Sequence, residues 1–236
     1  MSAAIDCNQR PPRRFAYLLG TLLLLILLHP LLVGLAGESV FFDVFLSMVV
    51  IASVYAVPSN SLTRMVFFVL TAPVLGARWL MYLVSNDAII LIGLAASAAF
   101  IALSAARILS YVMTQRTVTT EIILAALCVY LLFGVAWGLT YALIEQAMPG
   151  AFQIPGMAPD SAILQPLLYF SLVTLTTVGY GDISPQLPFA QAWANIEALL
   201  GQIYLAVLVA RLVGIQVAQS MNTPQAERCE RPERNG

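Results

Sequence analysis

The residues of this chain best suited to chemistry lie between Thr174 and Pro185, in the stretch TLTTVGYGDISP. What that stretch offers is backbone. Glycine at 179 and 181 opens angles closed to other residues, so successive carbonyls can point to one side while Val178 and Tyr180 pack outward into the protein. Such carbonyls, with the Thr177 hydroxyl below them, would replace the water shell of a dehydrated cation. The chemistry is coordination and release of an ion, with no bond made or broken. No H-E-x-x-H, G-x-S-x-G or phosphate-loop pattern occurs, so nothing in the sequence supports an enzyme.

The other candidate groups are sparse. Cys7, Cys128 and Cys229 are far apart, which argues against a disulfide framework, a structural metal and a bound cofactor. His29, ahead of Pro30 in an apolar run, reads as a helix-packing residue. Asp43 and Arg78 sit within apolar segments at similar depth and could form an intramembrane pair or reach the headgroups separately. Glu197 is an acid inside the last apolar run; an ionisable group there is a candidate functional and regulatory residue by default.

The elements that must position these groups are membrane helices. The chain has 236 residues, 60% hydrophobic and 10% charged, with a net charge of −1. A soluble domain needs a more polar surface, and the charge balance gives no reason to expect nucleic acid as a partner. All eleven basic residues are arginine. Apolar runs long enough to cross a bilayer predict six spanning segments near Phe15–Ala36, Val40–Val57, Arg64–Val84, Ala88–Met113, Ile122–Ile144 and Pro188–Val217. The first run follows basic residues but extends for about 22 residues, longer than the ~7–15 of a signal-peptide core, so it is expected to be retained. Short connections make the first four segments antiparallel neighbours. Arginines cluster on one side and acids such as Glu38, Asp87, Glu145 and Asp182 on the other, which places both termini in the cytoplasm of a multi-pass cell-membrane protein.

Between the fifth and sixth segments, Gln165–Thr177 predicts a short helix opened by Pro166. Twelve residues of helix span about 18 Å, half a bilayer. The chain is expected to dip in from outside, stop and return as extended backbone. Irregular backbone at that depth survives only when buried in protein or lining a water-filled path. The helix C-terminus would favour a cation near the membrane centre.

In this context TTVGYGD, Thr176 to Asp182, resembles the selectivity filter of tetrameric potassium channels, and Ile122–Val217 resembles their outer helix, pore helix, filter and inner helix. The resemblance implies an all-α membrane protein with a cytoplasmic N-terminus (1–14), a four-helix bundle (15–113), a linker (114–121), a pore domain (122–217, with pore helix 165–176, filter 177–182 and inner helix 188–217) and a short cytoplasmic tail (218–236). It implies a homotetramer passing K+ through carbonyls of Thr177, Val178, Gly179, Tyr180 and Gly181, with Asp182 at the outer mouth. It also implies a hinge at Gly201, with Gln202 facing a central cavity and Leu205, Val209 and Val213 lining the inner pore. Two departures stand out: Tyr169 and Phe170 replace the tryptophans that brace the filter in many members, leaving filter stability in doubt, and Val173 replaces a buried acid found behind the filter in some. The fourth segment carries Arg107 as its sole basic residue, so weak or absent voltage dependence is expected. The competing readings are an ion-translocating subunit of a potassium transport system and a modulatory membrane subunit.

Overall fold

The computed structural model describes residues 14–32, 38–57, 61–84, 86–156 and 163–222. In chain order they form α1 (Arg14–Leu32), α2 (Glu38–Ala56), α3 (Ser61–Leu80), α4 (Asp87–Thr114), α5 (Thr120–Ala147), β1 (Phe152–Gln153), α6 (Leu164–Leu175), β2 (Ser184–Pro185) and α7 (Pro188–Asn222). Of these, α4, α5 and α7 are long and apolar enough to cross a membrane. The short helix expected before the filter is α6, ending two residues earlier than its apolar pattern suggests. Cys7, Cys229 and the side chain of His29 lie outside the described residues.

Local chemistry sets several helix starts. The Asn86 side chain accepts from the Ala88 N–H at 2.9 Å and so caps α4, with Asp87 in its first turn. Thr119 does the same for α5 through the Ile122 N–H at 3.4 Å, with Glu121 following. The linker between them, Gln115–Thr119, is short, and α4 doubles back to pack along α5 of its own chain. Small residues on α4, among them Gly93, Ser97, Ser104 and Ala105, are buried and permit that approach. The Ser97 and Ser104 hydroxyls donate within their own helix, to Gly93 O and Phe100 O, leaving the contact one of packing.

Two ion pairs organise the described part of the bundle. Asp43 on α2 and Arg78 on α3 are each 5% exposed and are directly hydrogen-bonded, which settles the open question of their pairing. The Tyr82 hydroxyl donates to the second Asp43 oxygen at 2.5 Å. At the opposite end, Arg14 on α1 meets Glu121 on α5 at 3.2 Å, and its guanidinium lies over the rings of Phe15 and Tyr111. Cys128 is a buried thiol that donates to the Phe15 carbonyl at 3.4 Å, a packing role.

Candidate ion pathway

Two glycines on α5, Gly134 and Gly138, let the short helix α6 approach. A side-chain carbon at Gly138 would come within 2.8 Å of the Leu168 backbone, and one at Gly134 within 2.6 Å of the Leu172 side chain. This small-xxx-small spacing is a membrane helix-packing pattern. It was visible in the sequence and is absent from the reading above, which took glycines to matter only at 179, 181 and 201.

At the end of α6 the backbone turns sharply. Thr177 has φ of 59°, Gly179 55° and Gly181 79°, all left-handed. The glycine angles are as expected; the same hand at Thr177, a non-glycine residue that resists it, is an additional feature. The N–H groups of Val178 and Gly179 both turn back onto the Val173 carbonyl, at 3.0 and 3.3 Å, and that of Thr177 onto Thr174 O at 2.9 Å. The last carbonyl of α6, Leu175 O, accepts from the Tyr130 hydroxyl of α5 at 3.0 Å. The final carbonyls of α6 are therefore satisfied from within, and the amides of residues 177–179 serve the end of the helix.

The inner helix meets this turn closely. Gln202 of α7 donates its side-chain amide to the Thr177 hydroxyl at 3.2 Å, so Gln202 faces the first residue of the left-handed stretch. A side-chain carbon at Gly201 would sit 2.7 Å from Leu175 O. α7 runs helical through this position, and close contact with α6 is sufficient reason for glycine. Leu205, Val209 and Val213 are exposed in the single chain, as are Ile203 and Val207, so exposure alone does not select one face of α7.

The Tyr169 hydroxyl donates to Asp182 at 2.9 Å. The residue beside Phe170 thus reaches the carboxylate to which Phe170, having no N–H, has nothing to offer. Phe170 instead packs edge-on with Tyr141 and Phe152 at ring distances of 5.2 and 5.4 Å, behind the pore helix. β1 pairs antiparallel with β2, Phe152 opposite Pro185, tying the segment after the filter to the segment after α5. Glu145 closes the turn at the end of α5 by accepting from the N–H groups of Gly150 and Phe152, each at 2.8 Å.

Glu197 of α7 is fully buried. Its Oε2 accepts from the Tyr141 hydroxyl of α5 at 2.5 Å, and its Oε1 lies 2.5 Å from the Ser171 hydroxyl of α6. It therefore joins outer, short and inner helices at one point. Val173 leaves α6 without an acid of its own at that position; Glu197, brought in by α7, meets α6 at Ser171 instead.

Further along α7, Arg211 reaches the end of α4, donating to Val112 O at 2.8 Å and Gln115 O at 2.7 Å. These are carbonyls that a helix C-terminus leaves open, and a cation is favoured there.

Val178 and Tyr180 are 52% and 71% exposed in the single chain, so neither is buried within it, contrary to the expectation from sequence. No group of His, Cys, Asp or Glu able to hold a metal ion occurs among the described residues.

Comparison with known proteins agrees with this geometry. Residues 117–217 match the family model described as "Ion channel". A curated relative, "Two pore potassium channel c" of Oryza sativa subsp. japonica, is 35% identical over 84 residues, covering 36% of this chain and 17% of the relative. The chain thus corresponds to about a sixth of that relative's length. No solved structure matches the chain. With three helices among the described residues long and apolar enough to cross a membrane, and residues 117–217, from α5 to α7, matching the ion-channel model, this chain is a multi-pass membrane protein with an ion-channel-type domain.

Proposed function

We propose that the chain is one subunit of a homotetrameric potassium-selective channel that conducts K+ passively. The observation that carries this reading is the backbone at Thr177, Gly179 and Gly181: left-handed at alternate residues, with its first amides turned onto α6. That arrangement frees carbonyls of Thr177, Val178, Gly179, Tyr180 and Gly181 to face an ion, with Asp182 at the outer mouth. One chain supplies one wall of such a path. The exposed Val178 and Tyr180 and the exposed apolar surface of α7 are what neighbouring copies would cover. The potassium channel named among the relatives supports the choice of ion.

In this reading all six long helices span the cell membrane, residues 15–113 form a peripheral bundle, 122–217 form the pore domain, and both termini are cytoplasmic. Gln202, Leu205, Val209 and Val213 line the inner pore, and Gly201, packed against α6 within a continuous helix, is the hinge at which α7 would bend on gating. Arg107 is exposed on α4 rather than enclosed by the bundle. One charge moved through 100 mV gains about 2.3 kcal/mol and steep gating uses roughly three to four per subunit, so voltage dependence is shallow. The test is reconstitution of the purified protein in planar bilayers, with reversal potentials in mixed potassium and sodium. A reversal potential that follows the potassium gradient is expected; one that ignores it would reject the reading.

A further inference from the structure

The Glu197 cluster contains more hydrogen-bond contacts than a charged carboxylate allows. The Ser171 hydroxyl lies 2.8 Å from Gly134 O and 2.5 Å from Glu197 Oε1. A serine hydroxyl has one proton to give, and a backbone carbonyl has none. If Glu197 is ionised, Ser171 can serve only one of these two acceptors, and a short oxygen–oxygen contact is left without a proton. If Glu197 holds a proton on Oε1, the count closes: Glu197 donates to Ser171, Ser171 donates to Gly134 O, and Tyr141 donates to Glu197 Oε2. Burial points the same way. The side chain is fully buried, and neither ion pair among the described residues, Arg14–Glu121 or Arg78–Asp43, includes it. An unpaired carboxylate in such a site is costly, whereas a neutral, fully hydrogen-bonded acid is not.

We propose that Glu197 is a neutral hydrogen-bonding brace, a positioning residue that uses its own proton to fix the short helix α6 against α5 and α7. Glu197 touches no residue of the filter. It acts through Ser171, which lies six residues before Thr177 on the helix that ends in the filter. Close approach at Gly134 brings α6 to within bonding reach of the α5 backbone, and the Ser171–Gly134 bond is the link that the Glu197 proton completes. The effect on ion selection rests on the channel reading above; the protonation does not.

Two measurements on the full-length protein test the parts separately. The first is infrared spectroscopy of native protein with isotope-labelled glutamate, at neutral pH. Exposed glutamates are ionised there, so a neutral carboxyl band that shifts with the glutamate label is expected; its absence overturns the proposal whether or not the protein conducts. The second is the K+/Na+ permeability ratio of reconstituted variants. Glu197→Gln keeps a donor for Ser171 and an acceptor for Tyr141 without charge, and is expected to hold the ratio within about twofold of native. Glu197→Leu and Ser171→Ala remove the link and are expected to lower it roughly tenfold, in proportion to a lost buried hydrogen bond. A ratio that falls as far in Glu197→Gln as in Glu197→Leu would show that the charge is needed and overturn the brace. Native protein that passes neither ion would reject the channel reading and leave the infrared result to decide the protonation.

Discussion

Tyr169 on α6 and Asp182, the residue after Gly181, are joined by a 2.9 Å hydrogen bond. It links the middle of α6 to the residue that follows the left-handed stretch, so that stretch is tied to α6 at its far end as well as at its start. Tyr169→Phe removes the donor and keeps the ring. In the channel reading, currents should then decay roughly threefold faster during sustained opening, the scale of one modest hydrogen bond. The decay time constant of reconstituted channels measures it, and an unchanged constant would mean that the bond contributes nothing to filter order.

Gly179 has open space around it: a side-chain carbon there would meet nothing within 4 Å in the single chain. Its φ of 55° is the obstacle. Gly179→Ala should therefore leave insertion and helix content unchanged while costing about 1–2 kcal/mol of backbone strain per copy, enough to collapse potassium flux. A liposome flux assay that finds native selectivity in this variant would sink the filter assignment.

Gly138 presents the opposite case, with ordinary helical backbone but no space. Gly138→Ala drives a methyl to 2.8 Å from the Leu168 Cα, and backbone cannot swing aside as a side chain can. Overpacking of this kind costs typically about 1–3 kcal/mol. The expected result is a lower thermal midpoint of the assembled protein in detergent, larger than for Gly134→Ala, where a flexible Leu172 side chain is the neighbour.

Arg107 offers a test of voltage dependence. It is exposed on α4 and no partner is required of it by the proposed function. Arg107→Gln should leave the slope of the conductance–voltage relation in symmetrical potassium within measurement error. A steep native slope lost in this variant would show α4 to be a working sensor.

Much of this architecture is legible in the sequence because apolar length and glycine punctuation dictate it. Every helix appears near its expected place, and positive angles at Gly179 and Gly181 follow from residue type alone. What escapes the sequence is pairing across the membrane. Glu197, Tyr141 and Ser171 are separated by 26 to 56 residues, and their meeting depends on how three helices rotate about their axes. Apolar runs carry little rotational information, since nearly every face is hydrophobic. The Tyr169–Asp182 bond is hidden for a related reason: the resemblance expects an indole nitrogen, which Phe170 lacks, whereas a phenol one residue earlier reaches the carboxylate.

The grip of Arg211 on the carbonyls of Val112 and Gln115 joins α7 to α4 of the same chain, beside a linker too short to carry α4 elsewhere. In the proposed channel, this would wire residues 15–113 of each copy to that copy's own α7 rather than to a neighbour's. Defects would then be private to the copy that bears them. A ring mixing copies damaged in the bundle with copies damaged in the inner helix could not recover by exchange of parts, and Arg211→Gln would uncouple only the quarter of a tetrameric ring contributed by each altered chain.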